Sequence, residues 1–148
     1  MNEKNIRFFR LVRDFLTVFL GGQKAVSPNT VKSYRESVNL LLNYICERNG
    51  IALGKLCFEH LSTEAIVGFL DYLEKTRQSS ISTRNQRLAC IRSFFKYAGS
   101  RDVGLQAYVN ELSFIPLKKK TKASSPSYFS EAALKTILEQ PDTRKKKN

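Results

Sequence analysis

The 148-residue sequence has few of the side chains from which most catalytic and metal centres are built. It contains one histidine, His60, and three cysteines without Cys-x-x-Cys spacing, so no metal-ligand set is indicated. A glycine-rich phosphate loop, a Gly-x-Ser-x-Gly motif and a distinctively spaced carboxylate pair are also missing. The sequence therefore predicts no metal, no cofactor and no catalytic residue, and His60 is expected to cap or pack.

Long apolar runs are missing as well. Within residues 1–22, the apolar residues are broken by Arg7, Arg10, Arg13 and Asp14. This pattern predicts neither a signal peptide nor a membrane span. The odd cysteine count favours buried free thiols at Cys46, Cys57 and Cys90, which is typical of a reducing cytoplasm.

Acidic residues are scarce, at 13 against 25 basic residues, which gives a net charge of +12. The excess is shared, because residues 1–115 carry 16 basic and 10 acidic side chains and residues 116–148 carry 9 and 3. Such a balance says nothing about fold, but it favours nucleic acid or an anionic membrane as a partner.

The periodicity of the apolar residues predicts an all-α fold. Helices are expected over about 5–20, 28–49, 63–76 and 82–98, with a weaker one over 104–113. Gly21–Gly22 is expected to end the first helix, and Ser27 followed by Pro28 to begin the second. Asn49–Gly50 is expected to end the second helix, and Ser62 to cap the third.

The fourth predicted helix lies in the stretch SSISTRNQRLACIRSFFKYAG. On a helical wheel its core face holds Leu88, Ile91, Phe94, Phe95 and Ala98. Its outer face holds Ser82, Asn85, Gln86, Ala89, Arg92, Ser93 and Lys96. Near its N-terminus, where backbone N–H groups favour anions, lie Thr83, Arg84 and Arg87. No carboxylate occurs between Lys75 and Arg101, and this favours DNA contact over a merely solvated face, which would mix signs.

The second predicted helix repeats the pattern more weakly. Its first turns, SPNTVKSY, offer hydroxyl, amide and lysine side chains around a helix N-terminus, which suits a phosphate. Glu36 shares that face with Asn29, Lys32 and Ser33, so a solvated face remains open for this helix taken alone.

Composition changes after residue 115. Residues 116–129 are rich in proline, serine and lysine without periodicity, which predicts a basic linker, and residues 130–148 begin with an amphipathic helix. We expect that helix to open a second, truncated domain; folding back onto the first domain is the alternative.

Three stretches together resemble the core-binding domain of tyrosine recombinases of the phage integrase type: SPNTVKSYRESVNLLLNYI, LSTEAIVGFLDYLEK and the fourth helix. SYFSEAALKTILEQP resembles the start of the catalytic domain in the same family. The resemblance implies a SAM-like bundle of four to five helices over residues 1–115. It also implies that the second and fourth helices enter the major groove of double-stranded DNA at a recombination core site. At matching positions the contacts would be Asn29, Thr30, Lys32, Ser33, Ser82, Thr83, Asn85, Gln86, Arg92 and Lys96.

Members of this family cut DNA with a tyrosine, two arginines, a lysine and His or Trp residues in motifs that this sequence does not contain. The resemblance therefore implies a fragment of a DNA strand-cleaving and rejoining recombinase that binds DNA but does not itself cleave it. The parent protein would assemble as a tetramer on DNA, and this chain alone would be monomeric.

Two other classes of function remain open. A helical interaction module could dock an acidic partner through the basic faces, with the phenylalanine-rich first helix as its best feature. A helix-turn-helix transcription factor fits less well, since no tight helix pair with glycine in a short turn is present.

Overall fold

The computed structural model describes residues 2–119, and this range is helical without a β-strand. Five α-helices occur in the described range: α1 Glu3–Asp14, α2 Pro28–Asn49, α3 Thr63–Lys75, α4 Ile81–Arg101 and α5 Gln106–Ser113. The predicted all-α fold is confirmed. The first compact unit of the chain ends at Lys118. Residues 120–129 of the predicted linker and the whole predicted helix from residue 130 lie outside the described residues.

The ends of α2 follow the sequence signals closely. The Ser27 hydroxyl accepts a hydrogen bond from the Thr30 N–H at 3.2 Å, and Pro28 is the first helical residue. Gly50 ends the helix in the left-handed conformation with φ of 62°, which costs a glycine little because it has no Cβ.

The first helix does not end at Gly21–Gly22, and this prediction is wrong. The chain continues from α1 into a π-helical segment, Phe15–Gln23, that contains both glycines. The Lys24 N–H closes it by donating to the Phe19 carbonyl at 2.7 Å, five residues back. Burial of apolar side chains such as Leu20 outweighs the weak helix propensity of glycine here.

The fourth helix is longer than predicted at both ends. Ser80 caps it by accepting from the Thr83 N–H at 3.1 Å, two residues before the predicted start at Ser82. The helix continues to Arg101. Its predicted core face is buried at every position: Leu88, Ile91, Phe94, Phe95 and Ala98.

His60 has a capping role, as predicted. Its Nδ1 accepts a hydrogen bond from the Cys57 N–H at 3.1 Å, at the start of the short 3₁₀ turn Phe58–His60. The three thiols are free, with Cys57 and Cys90 buried and Cys46 half-buried.

Gly99 marks a close approach between α4 and α5. A Cβ there would lie 2.8 Å from Val109 Cγ2 and 3.0 Å from Gln106 Nε2. We expect Gly99→Ala to lower the free energy of unfolding by about 1–2 kcal/mol, because the steric cost exceeds the gain in helix propensity. Gly22→Ala is the matched control, since its Cβ would meet no atom within 4 Å. Urea denaturation of both variants tests this, and equal stability of the two would contradict it.

Candidate nucleic-acid interface

The two helices predicted to contact DNA pack against each other in the structure. Gln86 on α4 donates through Nε2 to the Ser33 hydroxyl on α2 at 3.0 Å. Each is the sixth residue of its helix, so the two N-terminal regions lie together. Arg87 Nη1 adds a second bond, to the buried Ser37 hydroxyl at 3.0 Å. The outward parts of α2 and α4 therefore form one continuous surface.

The two helices also begin in the same way. Ser27 and Ser80 are the N-caps, and each hydroxyl accepts from the backbone N–H three residues on. The threonines at those positions, Thr30 and Thr83, place their hydroxyls 2.9 and 3.1 Å from the capping serines. Both threonines were predicted DNA contacts, and the structure gives each a local capping bond.

The remaining predicted residues on α2 differ in exposure. Asn29 and Lys32 are exposed, whereas Ser33 is half-buried beside Gln86. Glu36 lies on this side too, with its carboxylate 4.0 Å from Arg87 Nη2. That ion pair reduces the local effect of the acidic charge, so the positive lysine remains available on the outer surface.

The outer face of α4 is open and free of acidic residues. Ser82, Gln86 and Lys96 are exposed. Arg92 is half-buried, and its Nε makes no hydrogen bond with the described residues. A helix surface of small polar groups with cations suits close approach to an anionic backbone.

Lys96 borders two clefts. One, of about 490 Å³, separates α4 from α5 and is also lined by Arg92 and Gln106. The other, of about 330 Å³, separates α4 from the π-helical segment and is also lined by Ser93 and Lys24. The sequence pattern does not mark Lys24, because this residue lies in a loop with no helical register to place it beside α4.

Asn85 is engaged by the chain that follows α5. Its Nδ2 donates to the Lys118 carbonyl at 2.7 Å, and its Oδ1 accepts from the Lys118 N–H at 2.9 Å. Both ends of the amide thus have backbone partners, which leaves little capacity for a base edge.

Arg84 is buried, although the wheel placed it near the anion-binding end of the helix. It is 5% exposed, and its Nη1 donates to the Pro116 carbonyl at 2.9 Å. Its Nε lies 3.8 Å from Glu74 Oε2, within ion-pair range. A buried guanidinium with these partners serves the bundle rather than a ligand.

Cys90 lies behind this surface on the inner side of α4. Burial raises the pKa of its thiol, outweighing the Ser37 hydroxyl and the Arg87 guanidinium, which lower it. The thiol therefore stays protonated at neutral pH and behaves as a small apolar side chain.

Two kinds of feature are missing from residues 2–119. No cluster of three or more His, Cys, Asp or Glu side chains there could hold a metal ion. No helix within the same range has the length and apolar character needed to cross a membrane.

The comparisons with known proteins agree with this architecture. Residues 14–102 match the model of the phage integrase N-terminal SAM-like domain, which is more than half of the chain. The chain is thus a member of the phage integrase family and carries its N-terminal SAM-like domain. No solved structure gives a significant match.

The curated relatives are integrases and recombinases by name. Putative integrase/recombinase y4rD of Sinorhizobium fredii is 30% identical over 90% of the chain and 47% of its own length. Putative integrase/recombinase y4rC of the same organism is 32% identical over 89% of the chain and 40% of its own length. Tyrosine recombinase XerC of Herpetosiphon aurantiacus is 30% identical over 53% of the chain and 24% of its own length. The chain spans less than half the length of each of these proteins.

Proposed function

We propose that this chain is a DNA-binding domain of a site-specific tyrosine recombinase and that it grips double-stranded DNA through the outer faces of α2 and α4. The observation that carries the proposal is the acid-free outer face of α4, joined to the N-terminal turns of α2 by the Gln86–Ser33 bond. Such a surface combines phosphate attraction with short side chains that fit a groove.

The residues divide into three proposed groups. Lys32, Arg92 and Lys96 supply positive charge to phosphates, with Lys24 as an addition to the predicted set. Asn29, Ser82 and Gln86 would contact base edges or the sugar-phosphate backbone through their exposed polar side chains, and Gln86 would exchange its bond to Ser33 for one to DNA. Thr30, Thr83 and Ser33 act from positions already fixed by hydrogen bonds within the bundle.

We extend the proposal to the activity, assembly and location of the parent protein. Its recombination activity at a core site, its assembly as a tetramer on DNA and its cytoplasmic location rest on family membership. This chain by itself is proposed to be monomeric and to bind without cutting. Analytical ultracentrifugation with and without duplex checks the monomer.

Binding should depend steeply on salt. Gel shifts or fluorescence anisotropy with candidate core-site duplexes from 50 to 300 mM NaCl are expected to give a log–log slope of about −3 or steeper, since about three or more phosphates would be neutralised. The proposal would be contradicted if no binding occurs at low salt, or if the affinity for the duplex does not change with salt.

The same measurements separate the alternative of an acidic protein partner. A basic docking module would form a stable complex with an acidic protein in the absence of DNA. It would bind a core-site duplex no more tightly than it binds a polyanionic competitor. Preference for a core site over random duplex at equal salt favours the DNA role.

A further inference from the structure

The chain does not leave the bundle freely at the end of α5. After Ile115, which is buried, it turns back along the N-terminal part of α4. Three side chains hold it there: Glu74 from α3, and Arg84 and Asn85 from α4. We call these three side chains, with the backbone of Pro116–Lys118, the exit cluster.

The Asn85 amide makes the most specific contact of the exit cluster. It forms two hydrogen bonds with one residue, donating to the Lys118 carbonyl at 2.7 Å and accepting from the Lys118 N–H at 2.9 Å. Only a side chain with a donor and an acceptor at this spacing can make both bonds. Alanine makes neither, and an ionised aspartate keeps only the acceptor.

Ion pairs hold the rest of the exit cluster together. Lys118 Nζ lies 2.8 Å from Glu74 Oε2, and the same carboxylate oxygen lies 3.8 Å from Arg84 Nε. Arg84 is nearly fully buried, and its Nη1 also bonds to the Pro116 carbonyl. The carboxylate thus joins one buried and one partly exposed cation, and it ties the departing chain to both α3 and α4.

We propose that Asn85 is a positioning residue rather than a reader of bases, and that the exit cluster fixes where the lysine-rich run of residues 118–122 starts, beside the N-terminus of α4. The consequence for DNA rests on the proposed function. The exit cluster keeps Lys118 and Lys119 beside the proposed binding surface, where their positive charge attracts phosphates, whereas a chain released at Ile115 would spread these charges over a larger volume.

The first experiment uses no DNA. In the full 148-residue chain, Asn85→Ala should speed hydrogen exchange of the Lys118 amide, and tryptic cleavage after Lys118, by on the order of tenfold, because two hydrogen bonds are lost. Asn85→Asp should fall between wild type and alanine. Asn110→Ala, the same change at an exposed position of α5, should match wild type. Circular dichroism melting of each variant checks that the bundle remains folded.

The second experiment measures DNA affinity and base preference of the same variants. A positioning role predicts that Asn85→Ala weakens binding by about threefold on every duplex and makes the salt slope shallower, because lysine–phosphate contacts are lost. A base-reading role predicts loss at one base pair of the site and an unchanged slope.

The outcomes are distinct. Unchanged Lys118 exchange in Asn85→Ala overturns the exit cluster, and a loss of affinity confined to one base pair overturns the positioning role of Asn85. Faster exchange with a uniform loss of affinity supports the proposal. If wild type binds no duplex at low salt, the proposed function fails, while the exchange measurement still decides whether Asn85 holds the departing chain.

Discussion

Replacing Phe15 by alanine is expected to lower the free energy of unfolding by about 3–5 kcal/mol. The Phe15 side chain is fully buried in the π-helical segment. Its ring lies 5.5 Å from both Phe94 and Tyr97 on α4 and 5.8 Å from Tyr34 on α2, measured between centroids. Truncation therefore leaves a cavity and removes several aromatic contacts at once.

Phe114→Ala is the matched control, because Phe114 is 83% exposed and its loss should change stability by less than about 0.5 kcal/mol. Urea or thermal unfolding followed by far-UV circular dichroism measures both variants. Similar losses of stability in Phe15→Ala and Phe114→Ala would show that the aromatic cluster around Phe15 does not stabilise the bundle.

Phe15 also matters for the proposed interface. Because its ring contacts both α2 and α4, it helps to set the spacing of the two helices that the Gln86–Ser33 bond also joins. Any duplex affinity lost in Phe15→Ala should consequently accompany lost structure, and this separates it from substitutions on the outer surface.

Local signals in the sequence were enough to predict most of the bundle. Ser27 with Pro28, and Gly50, predicted both ends of α2, because capping and the left-handed glycine act within a few residues. The core face of α4 followed from periodicity alone, since one buried stripe satisfies a helix packed against a bundle.

The turns before α2 and α4 carried no such signal. Ala25 and Gln78 adopt positive φ of 52° and 55°, each two residues before a capping serine. Glycine or asparagine usually marks such positions, and a left-handed residue with a Cβ costs about 1 kcal/mol. Here local backbone bonds close the turns, from the Val26 N–H to the Leu20 carbonyl at 3.0 Å and from the Ser79 N–H to the Leu73 carbonyl at 2.8 Å. Neither Ala25 nor Gln78 favours this conformation, so residue propensity could not reveal it.

The wheel correctly placed the seven outer-face residues of α4 outside the core but could not show what they contact. Gln86 meets Ser33, 53 residues away, and Asn85 meets Lys118, 33 residues away. Such partners depend on how distant parts of the chain pack together. The helical period of one segment does not specify this packing. Arg84 was misplaced for the same reason, because its burial depends on Glu74 and Pro116.

Reversing one lysine on each helix, with Lys32→Glu and Lys96→Glu combined, should weaken duplex binding on the order of 100-fold at 100 mM salt. Both side chains are exposed, so the bundle should keep its stability within about 0.5 kcal/mol. The loss arises because two cations that would neutralise phosphates become anions that repel them. Anisotropy titration with a core-site duplex measures it.

The control must change total charge equally while leaving the proposed surface intact. Lys4→Glu with Lys55→Glu does this, because Lys4 pairs with Glu59 in the connector to which Lys55 also belongs. If binding reflects only the net charge of +12, both double variants will lose affinity alike. If the outer faces of α2 and α4 hold the duplex, the control should lose less than about fivefold, and the difference between the two double variants maps the interface.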